Sequence, residues 1–431
     1  MISTMICLIL LLSSSMSPAQ ADPKVKGAPA SVRPVIRPLS NPAGERSQLP
    51  NLALGADGEL YLSWVEPGEK GATQLRFCRL TDSGWTEPRT VASGGDWFVN
   101  WADFPSLAAL EDGTLAAHWL GRLGTGSYSY GVRMSISSDH GKTWGTPFTP
   151  HSDRSATEHG FVSLVPLDEQ HFRAVWLDGR AMAGGHGALD EADGHGGGMS
   201  IRTAMIDRLG QVTGEQEIDD RTCECCQTAA VVSGKDVFVA WRDRSDQEVR
   251  DIAWVRVGEK SLSTPAMIHD DGWNQEGCPV NGPALAVAGK RVAALWYTEA
   301  ERPRVLFASS GDRGVKFSKP IAIDDGNPVG RVDLVSRPDG GWIACWLERG
   351  DEGGEIRVRA IGSDGTPQAS LLVARTSTER SAGFPRIETR GKRVIIAWTE
   401  ALGGEGEVAA PPRIHTAELV YPSLKKTNPA N

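Results

Sequence analysis

Of the seven cysteines in this chain, three fall within four positions of one octet, "RTCECCQT" (Arg221–Thr228), and a fourth, Cys278, lies in "EGCPVNGP". Sulfur gathered in this way serves disulfide bonding, a soft cation such as Cu(I) or Zn(II), or a redox-active thiol pair. Cys225 and Cys226 are adjacent, so a bond between them is strained and pairing across to Cys278 is easier. A metal would take Cys223, Cys225, Cys226 and Cys278 as thiolates, with His159 or a Met or His of the glycine-rich segment after Trp176 (Met182, His186, His195, Met199) as further donors.

Two strings, "WLDGR" and "WRDR", set arginine beside aspartate just past an apolar run. Arg180 and Arg242 have the fork geometry to clamp a carboxylate or sulfate, and Asp178 and Asp243 to handle protons. The same pairs also serve as ion pairs that brace a loop. His159, Asn281 and Trp101 complete the candidate ligand-binding set, Trp101 by stacking on a sugar ring or by packing.

The first residues, "MISTMICLILLLSSSMSPAQADPK", hold a short apolar run followed by small residues ending Ala19-Gln20-Ala21. That pattern predicts a signal peptide over 1–21 and release of the mature chain into the periplasm or medium. No later run is long enough for a membrane span. The net charge of −9 gives no concentrated basic face, which argues against nucleic acid as a partner. A glycan or small-molecule ligand and a monomeric chain are the expectation.

The elements that must position these groups repeat. An alternating apolar stretch ending in Trp and a polar turn occurs seven times: "LYLSWVEP", "LAAHWLGR", "FRAVWLDGR", "VFVAWRDR", "VAALWYTE", "WIACWLER" and "VIIAWTEA", 50 to 65 residues apart. Each is flanked by further short alternating runs, about four strands per unit. This is the pattern of an all-β propeller, with seven blades favoured over six plus an irregular cap. The last unit lacks an obvious fourth strand, and "VRPVIRP" (Val32–Pro38) can supply it and close the ring. The expected layout is a leader over 1–21, an extended segment over 22–47, one propeller over 48–422 and a tail over 423–431. In a propeller the loop entering the first strand and the loop after the second open on one face. "EHGF", "RTCECCQT" and "EGCPVNGP" should therefore meet there, ringed by His159, Asp178, Arg180, Arg242 and Asp243.

Two turns carry family information. "SSDHGKTW" places Ser137, Asp139, Gly141 and Trp144, and "SGDRGVKF" places Ser310, Asp312, Gly314 and Phe317, in the S-x-D-x-G-x-T-W pattern. These resemble the Asp boxes of the sialidase superfamily, and the "CECC…GCPVNGP" combination is similar to a bacterial sialidase-like group. The resemblance implies a propeller, an active face opposite the Asp boxes, and an exo-glycosidase using an arginine triad, a Tyr–Glu nucleophile pair and an Asp acid/base. The Tyr with a Glu close behind it at a strand exit is Tyr297, with Glu299. Two functions follow as expectations: recognition or hydrolysis of a glycan or acidic ligand, or non-catalytic binding at a Cu, Zn or disulfide-braced cysteine site.

Overall fold

A computed structural model describes residues 34–182, 198–401 and 410–420. The leader, His186, His195 and the tail lie outside the described residues.

Seven antiparallel sheets follow one another along the chain. The first is built from β2 (Gln48–Leu54), β3 (Leu60–Pro67), β4 (Thr73–Thr81), β5 (Gly84–Trp85) and β6 (Arg89–Gly94). The second is β7 (Ser106–Ala109), β8 (Leu115–Arg122) and β9 (Tyr130–Ser137), with a Met134–Phe148 bridge marking the outer edge. The third is β10 (His159–Pro166), β11 (His171–Asp178), β12 (Met199–Asp207) and β13 (Val212–Thr222). The fourth is β14 (Ala229–Ser233), β15 (Asp236–Arg242), β16 (Ile252–Val257) and β17 (Ala266–His269). The fifth is β18 (Ala284–Ala288), β19 (Arg291–Thr298), β20 (Arg304–Ser310) and β21 (Ile321–Ala322). The sixth is β22 (Pro328–Ser336), β23 (Trp342–Gly350), β24 (Gly353–Ile361) and β25 (Leu371–Thr376). The seventh takes β26 (Arg386–Arg390), β27 (Arg393–Glu400) and β28 (Arg413–Val420) from the end of the chain and β1 (Val35–Leu39) from its start. The register runs from Val35 opposite Val420 to Leu39 opposite Thr416. This closure joins the two ends of the propeller and hides the edges that an open sheet would expose.

The repeated tryptophans are core. Trp64, Trp176, Trp241, Trp296 and Trp346 on the second strands are almost fully buried. A buried indole N–H needs an acceptor. Residues i and i+2 of a strand share a face, and three blades use this. Trp64 donates to Glu66 (2.7 Å), Trp176 to Asp178 (2.9 Å) and Trp346 to Glu348 (2.6 Å). In blade five, where Thr298 occupies that place, Asp271 accepts from Trp296 instead (2.7 Å). The acid after the tryptophan is thus part of the blade.

Both Asp boxes form in the turns between third and fourth strands. Asp139 accepts from the backbone N–H groups of Lys142 and Thr143 and from the Thr143 hydroxyl, while Ser137 receives Gly141 N–H. Gly141, at φ +73, has Phe77 where a Cβ would sit, and Trp144 meets the same ring edge-on. Ser310, Asp312, Gly314 and Phe317 repeat the arrangement against Trp254. These turns open on the face away from the first-strand entries.

The inner strands β2, β7, β10, β14, β18, β22 and β26 surround an axial cavity of about 230 Å³. Asp103 lines it and is 2% exposed. It accepts from Phe161 N–H (2.8 Å) and from the Tyr130 hydroxyl (3.2 Å), and that hydroxyl also lies 2.5 Å from Glu158. Burial, reinforced by the Glu158 charge, pushes its carboxyl up to about 8. The unfolded chain holds this group near the ordinary value of about 3.9, so the native state binds the extra proton between the two. Stability from this site is therefore greatest at low pH and is lost as pH rises toward about 8. Asp103→Asn mimics the neutral form. Its melting temperature should fall less than wild type between about pH 5 and pH 8; parallel profiles would refute the assignment.

Candidate functional site: a cysteine cluster at the channel mouth

The octet starts in the last two residues of β13 and leads into β14, and backbone bonds fix it. Cys223 N–H donates to Arg242 O (3.0 Å), and Thr222 bridges Asp243. Further along, Gln227 donates to Ala102 O (2.7 Å) and accepts from Gly282 N–H (3.1 Å), while Thr228 donates to Phe161 O (2.8 Å). The entries of blades two to five are thereby stitched together around the axis. Gly282 is required in this seam, because a Cβ there would lie 2.0 Å from Gln227 O. Four non-glycine residues at first-strand entries, Leu49 in blade one, Phe161 in blade three, Val280 before blade five and Arg331 in blade six, hold left-handed backbone. Three of them sit in register shifts that kink their inner strands.

Inside this frame the sulfurs converge. Cys223 Sγ lies 3.2 Å from Cys226 Sγ and 3.7 Å from Cys225 Sγ. Among the described residues these three form a group whose ligand atoms all lie within 4.8 Å of one another. Cys278, exposed on the entry to blade five, lies outside this group, on a loop that the Gly282 N–H bond to Gln227 ties to the octet. Burial runs inward: Cys278 is exposed, Cys225 is half-buried, and Cys223 and Cys226 are buried.

The surroundings are electropositive where the sulfurs are deepest. Arg250, 2% exposed, points Nη1 at Cys223 Sγ (3.3 Å) and donates Nη2 to Glu248 (2.8 Å). Glu224 pairs with both Arg244 and Arg250. Burial pushes the Cys223 thiol up, but its hydrogen bonds with Cys225 and Cys226 and the Arg250 charge outweigh it and hold it well below the ordinary thiol range. Cys225 and Cys226 are pushed up, Cys225 by its hydrogen bonds to Cys223, Cys226 and Cys278, and Cys226 first by burial. The Arg250 contact thus favours the anionic form of Cys223.

The other candidate residues occupy different surroundings. Arg242 is 1% exposed and spends its guanidinium on main-chain carbonyls: Asn281 O from Nε and Nη2, Arg250 O from Nη1 and Tyr297 O from Nη2. It also stacks on Trp273 at 4.7 Å. Asn281 is engaged with Arg331 N–H, Pro279 O and Val329 O. Trp101 has the Arg331 guanidinium at 4.7 Å and Phe384 stacked at 5.9 Å. Asp243, after Trp241, is pushed up to about 6 by burial and by Asp219.

His159, Asp178 and Arg180 gather one blade away from the sulfurs. Arg180 forks onto Asp178 (2.7 and 2.8 Å) and reaches Glu215 (2.6 Å). His159 Nε2 faces Asp153 (3.1 Å) and Asp178 (3.5 Å), and its ring stacks on buried His151 at 4.0 Å. Burial pushes Asp178 up, but hydrogen bonds from Arg180, His159 and Trp176 prevail and keep it ionised. Sequence reading joined His159 to the cysteines; the fold joins it to Asp153, Asp178 and His151 instead. His151 and Arg250 are not among the candidates that the sequence offers. The one available sign for Arg250 was the charge-rich "RDRSDQEVR" directly after Trp241.

Beside Cys278 a second recess of about 340 Å³ is lined by Trp273, Asn281, Tyr297, Glu299, Asn327 and Arg349. The Tyr297 hydroxyl donates to Glu299.

Fold and site together define a seven-bladed propeller with a thiol cluster at its channel mouth. Its fold is similar to that of a protein of unknown function from Dyadobacter fermentans DSM 18053, at 17% identity over 91% of this chain and 100% of that one, with a TM-score of 0.52. Two further solved structures match at lower similarity. The intramolecular trans-sialidase from Ruminococcus gnavus has 10% identity and a TM-score of 0.48 over 78% of this chain and 99% of that one. The α-L-arabinanase of Penicillium chrysogenum has 12% identity and a TM-score of 0.46 over 90% and 99%. No family model and no curated protein matches the chain.

Proposed function

We propose that this is an exported soft-metal-binding propeller, holding Zn(II) or Cu(I) with Cys223, Cys225, Cys226 and Cys278. The sulfur geometry is what supports this reading most. Tetrahedral thiolates at about 2.3 Å from a zinc ion stand about 3.8 Å apart, and the separations here are 3.2 and 3.7 Å. A donor set of sulfur alone favours a soft or borderline cation over Mg²⁺ or Ca²⁺. Arg250 offsets part of the negative charge that several thiolates accumulate. When bound, the ion supplies a closed structural centre or a Lewis-acidic one; the protein contributes the preformed thiolate, the buried charge and an exposed fourth donor. Protein purified under reducing conditions and offered zinc should retain about one ion per chain. Retention far below that in correctly folded, fully reduced protein contradicts the reading.

The recess beside Cys278 favours a second reading, recognition or hydrolysis of a glycan or acidic ligand. Tyr297 with Glu299 provides a nucleophile and base pair, and Arg349 a cation on its wall. A panel of sialosides and arabino-oligosaccharides tests it. Turnover lost in Tyr297→Phe supports this reading, and no turnover on any substrate opposes it.

A further inference from the structure

We propose that the four cysteines form a surface-to-core sulfur relay, in which oxidation pairs Cys225 with Cys278 first and Cys223 with Cys226 second. This deepens the metal reading by supplying its regulation: each disulfide formed removes two of the four donors.

The order follows from burial and distance. Only Cys278 is exposed, so an external oxidant meets it first. Its loop is tied to the octet by the Gly282 N–H bond to Gln227, and of the three clustered sulfurs Cys225 is the one not fully buried. Cys225 stands 3.7 Å from Cys223, and Cys223 stands 3.2 Å from Cys226. The order 278, 225, 223, 226 therefore steps inward from the exposed thiol, through the half-buried one, to the buried pair. The end pairing follows from the same contacts. Cys225 with Cys226 is strained by adjacency, and joining Cys223 to Cys225 would leave Cys226 to reach Cys278 across the cluster.

The chemistry balances with a low-molecular-weight disulfide, RSSR, as oxidant. Cys278 thiolate attacks one sulfur of RSSR, and one RS⁻ leaves. Cys225 thiolate then attacks Cys278 Sγ, expels the second RS⁻ and completes the outer disulfide. Cys223 attacks Cys225 Sγ and frees Cys278. Cys226 attacks Cys223 Sγ and frees Cys225, which leaves the inner disulfide in place. A second RSSR restores the outer one. In total four thiolates lose four electrons to two RSSR molecules, which depart as four RS⁻. Thiol protons pass to solvent.

The test uses the full reduced, metal-free protein with oxidised glutathione, quenched at intervals by alkylation and mapped by peptide mass spectrometry. The expected record is Cys225–Cys278 early and both disulfides late. Cys278→Ser, at an exposed position, should slow formation of the Cys223–Cys226 bond by about tenfold or more, because the oxidant loses its entry thiol. Cys226→Ser should stop at the outer disulfide. Inner pairing first, an undiminished rate in Cys278→Ser, or a final Cys223–Cys225 bond would overturn the relay. With zinc loaded beforehand, release in step with disulfide formation supports the switch, and zinc kept by fully paired protein overturns it. Should zinc never bind, the metal reading fails alone, and the peptide map still decides the relay.

Discussion

Replacing Cys223 with serine is expected to lower zinc affinity by roughly a hundredfold or more while leaving the propeller folded. Cys223 is the centre of the cluster, touching Cys225 at 3.7 Å, Cys226 at 3.2 Å and Arg250 at 3.3 Å. A serine hydroxyl stays protonated at neutral pH and supplies no thiolate. Its backbone N–H to Arg242 O remains, and Arg250 keeps its bond to Glu248. The two effects therefore separate: equilibrium dialysis reads the lost binding, and a thermal melt reads the retained fold. Affinity within about threefold of wild type would show that the sulfurs do not hold the ion.

The second large effect concerns stability. Arg242→Met should destabilise the protein by about 3–5 kcal/mol, a large part of the 5–15 kcal/mol typical of a folded domain, since a buried acceptor left without its donor costs about 1–3 kcal/mol. Methionine nearly fills the volume, so the loss is one of hydrogen bonding. Carbonyls of Arg250, Asn281 and Tyr297 lose their donor in a site that is 1% exposed. Three segments from two blades then lose their common tie, and Trp273 loses the guanidinium above it. Denaturant unfolding measures this. A loss below about 1 kcal/mol would mean that water or relaxation satisfies those carbonyls.

The contrast between these residues shows what a sequence can disclose here. Period-2 runs and seven evenly spaced tryptophans specify blades, because strand geometry and radial closure leave few alternatives. The extended Val32–Pro38 segment was legible as the closing strand for the same reason, and β1 over Val35–Leu39 takes that place. The approach of the Cys278 loop to the octet followed from topology alone, since entry loops of neighbouring blades share a face, and Gln227 and Gly282 join them. What was not legible was how each polar side chain is used. Asp178 reads as an acid beside an arginine, yet it is also the acceptor for Trp176, a role fixed by the i+2 spacing within its own strand. Arg242 reads as a clamp for an anion, but its carbonyl acceptors come from positions 8 to 55 residues away, and nothing in the local string announces them. Main-chain carbonyls are present at every position and leave no compositional mark. Arg250, by contrast, sits in a loop of alternating charge facing the octet, and the string alone does not separate it from its charged neighbours.

The most direct measurement is X-ray absorption at the edge of whichever metal the reduced protein retains. The proposed site predicts a first shell of three to four sulfur scatterers at about 2.3 Å and no majority of nitrogen or oxygen. A shell dominated by oxygen or nitrogen, or one unchanged in Cys223→Ser, would contradict it.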